Sequence, residues 1–233
     1  MKVKCVWEHN GNDSLIYAAD FIGAYTRGES REEALAKIPQ EIYAYMRWVG
    51  KVFDENVCAE IVQEKPSGLK ISDADSDIIF DTERLTLSQK EYIELKALAM
   101  KSADDFLRLY TKIPDVNKSV LPDRDTFYGH TPRTAKEMYE HTKNVNEYYF
   151  SEIGIDADNG GTISDCRRKG FEQLELIDGF LERGSVVGSY GEEWSLRKVL
   201  RRFIWHDRIH AKAMYRMAIK TFGEGSVPNI FYF

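Results

Sequence analysis

The sequence predicts an α+β unit followed by an all-α, up-and-down four-helix bundle. Three observations predict it. Up to about residue 82, apolar runs of strand length alternate with turn-forming clusters around one helical stretch, in the order β-β-α-β. From residue 88 onward, apolar residues recur at steps of three and four. Between the two patterns, at 82–87, the composition changes from strand-like to helical. The expected domains are therefore 1–82 and 83–233.

The first strands are expected at 3–9 and 15–22, separated by the turn-forming "NGND". The second, "LIYAADFIGAY", ends in turns around Gly23 and Gly28. Ser30 and Glu33 have capping-box spacing and open "ESREEALAKIPQEIYAYMRWVG". Leu35, Ile38, Ile42, Met46 and Val49 line one helical face of that stretch. Pro39 either bends it or ends a first short segment. "NVCAEIVQEK" reads as the next strand, and "DIIFD" as a further one.

In the second half, Ser88 and Glu91 form another capping box. They open a helix with Leu95, Leu98, Ala99, Ala103, Phe106, Leu109, Tyr110 and Ile113 on one side, which Pro114 stops. Thr131 and Pro132 read as N-cap and first residue of a second helix, carrying Ala135, Met138, His141, Val145 and Tyr149. "NGG" at 159–161 is a turn, and a third helix is expected from Ser164 to Arg183. "RGSVVGSYGEE" reads as a loop, after which Ser195 caps a long helix running to about Thr221. Four such stripes, each on a helix with little stability alone, imply a bundle.

The bulk properties narrow the function. The chain is 43% hydrophobic and 30% charged, the balance of a chain able to bury a core. Its net charge of −6 argues against non-specific nucleic-acid binding. No apolar run approaches the roughly 20 residues of a membrane span, and "MKVKCVWEHNG" lacks a signal-peptide core. A cytoplasmic protein is expected. Cys5, Cys58 and Cys166 are far apart and odd in number, a poor framework for disulfides or for a cysteine-metal site.

The histidines carry the chemistry. On the last helix the inward positions read Leu196, Val199, Leu200, Phe203, His206, His210, Met214 and Met217. A pair at i,i+4 sets two side chains about 5–6 Å apart at Cβ on one face, where they can share a metal ion. His141 occupies a similar place on the second helix, between Met138 and Val145. Burying three polar rings without partners costs about a few kcal/mol each, and a shared ion removes that cost. An acid–base group is expected nearby. Glu137 lies one turn before His141, Asp207 flanks His206, and Tyr149 lies two turns beyond His141. His130 precedes the second helix and His9 lies in the first domain.

Two family resemblances follow from these motifs. "DFIGAYTRGESREEALAKIPQEI", with its aromatic-ended strand, Gly23, Thr26, Gly28 and glutamate-alanine-leucine helix start, resembles the HicB-like family. No ribbon-helix-helix candidate accompanies it, so the resemblance implies a partner-binding appendage rather than DNA binding. "EMYEHTKNVNEYY", followed after a third helix by "EEWSLRKVLRRFIWHDRIHAKAM", resembles the DinB/YfiT-like metalloproteins over residues 88–222. That family places one histidine on the second helix of a four-helix bundle and HxxxH on the fourth. The resemblance implies that His141, His206 and His210 hold one divalent ion.

Zinc or nickel is expected first, and iron or manganese also suits imidazole. Relatives of this kind include thiol-dependent transferases and isomerases. The implied function is a metal-dependent enzyme acting on a small molecule, by thiol S-transfer or hydrolysis, with a low-molecular-weight thiol as partner. The alternative is a non-catalytic regulator, in which the HicB-like unit binds a protein and the metal is structural. A homodimer is compatible with either.

Overall fold

The computed structural model describes residues 1–68, 70–71, 78–126 and 129–233. The chain is mixed α+β: an N-terminal four-stranded sheet, then a helical C-terminal region. It divides into two compact units. The first comprises Met1–Phe80, Asp123–Thr131 and Asn229–Phe233, and the second Asp81–Pro122 and Pro132–Pro228. Residues 123–131 and 229–233, which the sequence places with the helices, thus group with the sheet.

In the first unit, β1 (Lys2–Asn10) pairs antiparallel with β2 (Asp13–Ala18), and β2 with β3 (Tyr25–Gly28). Two helices, α1 (Arg31–Ala36) and α2 (Ile38–Trp48), carry the chain back to β4 (Cys58–Pro66), which lies parallel to β1. The sheet order is β3-β2-β1-β4. Two local features differ from the sequence expectation, and at Pro39 one of its two alternatives holds. The run expected at 15–22 stops at Ala18, and a separate strand forms at 25–28 after a turn in which Gly23 takes φ +92°. At Pro39 the first short segment ends, as one alternative had it, and a new helix starts, because the missing N–H and fixed φ of proline suit a first helical turn. "DIIFD" forms no strand over its described residues. Ile78–Phe80 are buried without regular pairing, and a 3-10 turn begins at Asp81. Asp77 lies outside the described residues.

The segment Asn229–Phe233 completes this unit. Phe231 is buried, with its ring stacked at 5.3 Å on Trp48 and at 5.4 Å on Phe233. Arg47 lies 4.7 Å from the Tyr232 ring centre. The Asn229 side chain closes the segment by donating to the Phe233 carbonyl (2.8 Å) and accepting from its N–H (2.9 Å). A short strand pair, β5 (Asp125–Thr126) and β6 (Gly129–His130), also belongs here.

The second unit contains α3 (Gln89–Tyr110), α4 (Ala135–Ser151), α5 (Ile163–Glu175) and α6 (Leu196–Phe222). A ribbon, β7 (Val186–Val187) with β8 (Glu193–Trp194), precedes α6 within the stretch expected as loop. The helices pack α3 on α6, α4 on α6, α3 on α5 and α4 on α5.

Ser88 and Glu91 form the expected capping box of α3, and the Ser195 hydroxyl accepts from Lys198 N–H to start α6. The start of α4 differs. Thr134, not Thr131, is the N-cap, because Glu137 three residues on completes its box. The end of α5 differs too. The helix stops at Glu175 rather than Arg183, and the turns that follow contain Gly179 at φ +67°, outside helical space.

Candidate metal centre

α6 presents its apolar stripe as the sequence predicts. Val199, Leu200, Phe203, His206, Met214 and Met217 are all fully buried. α4 packs against this face and brings His141 to the HxxxH pair. Ring centres lie 4.4 Å apart for His206 and His210, 4.6 Å for His141 and His210, and 5.1 Å for His141 and His206. One ligand nitrogen from each ring lies within 4.8 Å of the others. Two nitrogens at about 2.0–2.1 Å from a common ion stand at most about 4.2 Å apart, so small ring rotations bring all three onto one ion.

The three differ in exposure. His206 is buried, His210 intermediate and His141 exposed. The expectation that His141 sits among core residues is corrected here. The buried stripe of α4 runs through Met138, Thr142, Asn146 and Tyr149, and His141 stands at its edge. The cluster therefore has a deep side at His206 and a solvent-facing side at His141.

The His206 ring is fully buried, and neither Nδ1 nor Nε2 has a hydrogen-bond partner among the described residues. Each unmet buried group costs about 1–3 kcal/mol, and an ion on one nitrogen relieves part of that cost. Burial holds the His206 pKa well below the usual imidazole value, and the neighbouring His210 and His141 rings lower it further. The ring is thus neutral, the form that binds metal. The donor set is three imidazoles, which suits zinc and other divalent first-row ions.

The remaining candidates are placed as follows. The Glu137 carboxylate accepts from the Arg133 and Thr134 N–H groups and serves the helix cap. Tyr149 is buried, with its ring centre 6.0 Å from that of His206 and the Arg202 guanidinium 5.1 Å from its own. Asp207 turns away from the histidines and pairs with Arg167 and Ser102. His9 and His130 belong to the first unit. His9 Nε2 meets Glu64 at 3.0 Å while the ring stacks on Trp7, and His130 faces Asp125 at 3.5 Å.

Sequence reasoning missed Arg167, which is fully buried on α5. Its signal was position: it lies four residues before Phe171, on the same stripe as Ile163, Gly170 and Leu174.

Among the described residues no helix is long and apolar enough to cross a membrane. Comparison with known proteins finds no match: no family model, no curated protein and no solved structure is similar to this chain.

Proposed function

We propose that the helical unit is a DinB-like four-helix bundle that holds one divalent ion on His141, His206 and His210. We further propose that the chain is a metal-dependent enzyme acting on a small molecule, by thiol S-transfer or hydrolysis. The observation that carries this reading is His206, a buried neutral imidazole beside two other histidines, both of whose nitrogens are unpartnered among the described residues. Aliphatic residues would fill that position at lower cost if packing were its only role.

Three protein ligands leave positions for exchange, the pattern of catalytic rather than closed structural zinc. When bound, such an ion acts as a Lewis acid that activates water or a thiol as nucleophile near neutral pH. The chain's own residues do the rest. His206 anchors the deep side, His210 the middle, and exposed His141 the side from which a small molecule enters. Tyr149, packed edge-on to His206, forms an apolar wall that keeps water from the back of the site. The HicB-like reading of the first unit supports a role in binding a partner, separate from this chemistry.

The test is elemental analysis of the purified chain, followed by turnover of a chromogenic electrophile with glutathione or cysteine, and of p-nitrophenyl esters. About one ion per chain is expected, with turnover lost on chelation and restored by zinc or nickel. Unchanged metal content in a folded variant lacking all three histidines would overturn the site. Full metal content without turnover in either assay would favour the non-catalytic regulator.

A further inference from the structure

Asp207 follows His206 directly, and consecutive helical residues point about 100° apart. While His206 faces α4, Asp207 faces α3 and α5. Its carboxylate receives both prongs of Arg167: Nη1 donates to Oδ2 at 2.9 Å and Nη2 to Oδ1 at 3.1 Å. The Ser102 hydroxyl of α3 also donates to Oδ2. Both charged side chains have no exposed surface. The Arg167 guanidinium also lies 3.9 Å from the Phe203 ring centre, one turn before His206.

α4, the helix of His141, is fastened to the same part of α5. Asn146 Nδ2 donates to the Cys166 carbonyl at 3.1 Å and to the Asp158 carbonyl at 2.9 Å. Ile163 N–H donates to the Tyr139 hydroxyl at 3.1 Å. Cys166 and Arg167 are consecutive. Helix α5 contributes none of the three histidines, yet both helices that carry them are held to one turn of it.

We propose that Arg167 and Asp207 are positioning residues of the three-histidine site: their buried ion pair fixes the rotation of α6 that aims His206 toward His141. The proposal rests on the metal-site reading above. A buried ion pair is a poor device for stability, since apolar replacements of similar volume are often neutral or stabilising. It is a good device for direction, because a two-pronged contact permits one orientation. The stakes follow from geometry. A 15° rotation of a helix moves groups about 5–6 Å from its axis by about 1.5 Å. Metal–ligand distances tolerate about 0.2 Å.

The experiment uses the full chain with Co(II) as probe. Arg167→Met/Asp207→Leu removes both charges together, and Arg167→Lys keeps the charge but not the fork. The double variant should melt, metal-free, at or above the parent temperature. It should bind Co(II) about 10–100-fold more weakly, the usual effect of losing an outer-shell partner. Its Co(II) visible bands should shift. In the metal-free protein, proton–proton cross-relaxation among the three imidazole rings should weaken. Arg167→Lys should shift the same readings in the same direction by several-fold, and it decides the matter if the double variant does not fold. Folded variants with the parent's affinity, bands and ring contacts would overturn the proposal.

The underlying reading is tested separately by His206→Ala. If the parent binds no Co(II), or binds it as tightly without His206, the metal site falls. The metal-free ring contacts still decide on the pair: their loss in the variants supports it and their persistence overturns it.

Discussion

Replacing His206 by leucine should change stability in opposite directions with and without metal. A neutral imidazole carries one donor and one acceptor, and both nitrogens are buried and, among the described residues, unpartnered. At about 1–3 kcal/mol for each unmet group, the ring costs the metal-free protein about 2–6 kcal/mol. Leucine is close in size but not in shape, and repacking costs up to about 1.5 kcal/mol. A net gain of about 2 kcal/mol is expected, which for a chain of this size raises the melting temperature by about 4–8 °C. With metal the sign reverses. An ion present at a thousandfold excess over its Kd stabilises the parent by about 4 kcal/mol, and the variant, with two imidazoles left, loses most of that. The assay is a thermal melt of parent and variant in chelator and in zinc. A metal-free variant that melts below the parent would refute the argument, since the imidazole would then be supplying interactions rather than lacking them.

The pH dependence has a worked sign. The folded His206 imidazole has a pKa held well below the usual value, whereas the unfolded chain takes up that proton near pH 6.5. Below about 6.5 the unfolded state therefore binds more protons. Metal-free stability should be full above that pH and fall steadily as pH drops toward the folded-state value. Urea melts at pH 8, 6.5 and 5 check this, and an acid slope that persists unchanged in His206→Leu would exclude His206 as its source. Metal affinity should fall over the same range, because protons compete for the ligand nitrogens. Gly170→Ala should destabilise the chain by about 1–3 kcal/mol, although helix propensity alone favours alanine by about 1 kcal/mol. The added Cβ would stand 2.1 Å from Phe150 Cε2, and Phe150 is itself buried between Phe171 and Phe203. Equal or higher stability in urea would contradict this.

What the sequence made legible depends on how local each signal is. Ser88 with Glu91, Ser30 with Glu33, and Ser195 before a long stripe are contacts within one helical turn, and all three form. The true cap of α4 was equally local. Thr134 and Glu137 have the same spacing, but the proline after Thr131 drew the boundary three residues early. His141 shows a subtler failure. Thr142 and Asn146 are polar yet fully buried, so a wheel scored on apolar residues places the inward face of α4 one position off. Both find backbone partners, Thr142 by donating to the Met138 carbonyl and Asn146 Nδ2 by donating to the Cys166 carbonyl of α5. That His206 and His210 are neighbours was readable from their spacing, whereas the approach of His141, on another helix, was expected from the family resemblance. Arg167 and Asp207 were not readable as a pair. A charge on an apolar stripe looks the same whether it reaches solvent or a partner forty residues away, and only the packing of both α5 and α6 on α3 distinguishes the two.

The aromatic segment at 229–233 has a consequence for the order in which the chain acquires structure. Trp48 finds its stacking partner Phe231 only after nearly all the intervening chain has been made. Contacts between residues so distant in sequence form slowly, because the loop-closure entropy is lost before the contact is gained. During synthesis, the sheet and its two helices emerge well before residues 229–233, which pack with them. Until residues 229–233 arrive, Trp48 lacks its stacking contact with Phe231, and apolar surface not yet covered is prone to mispairing with another nascent chain.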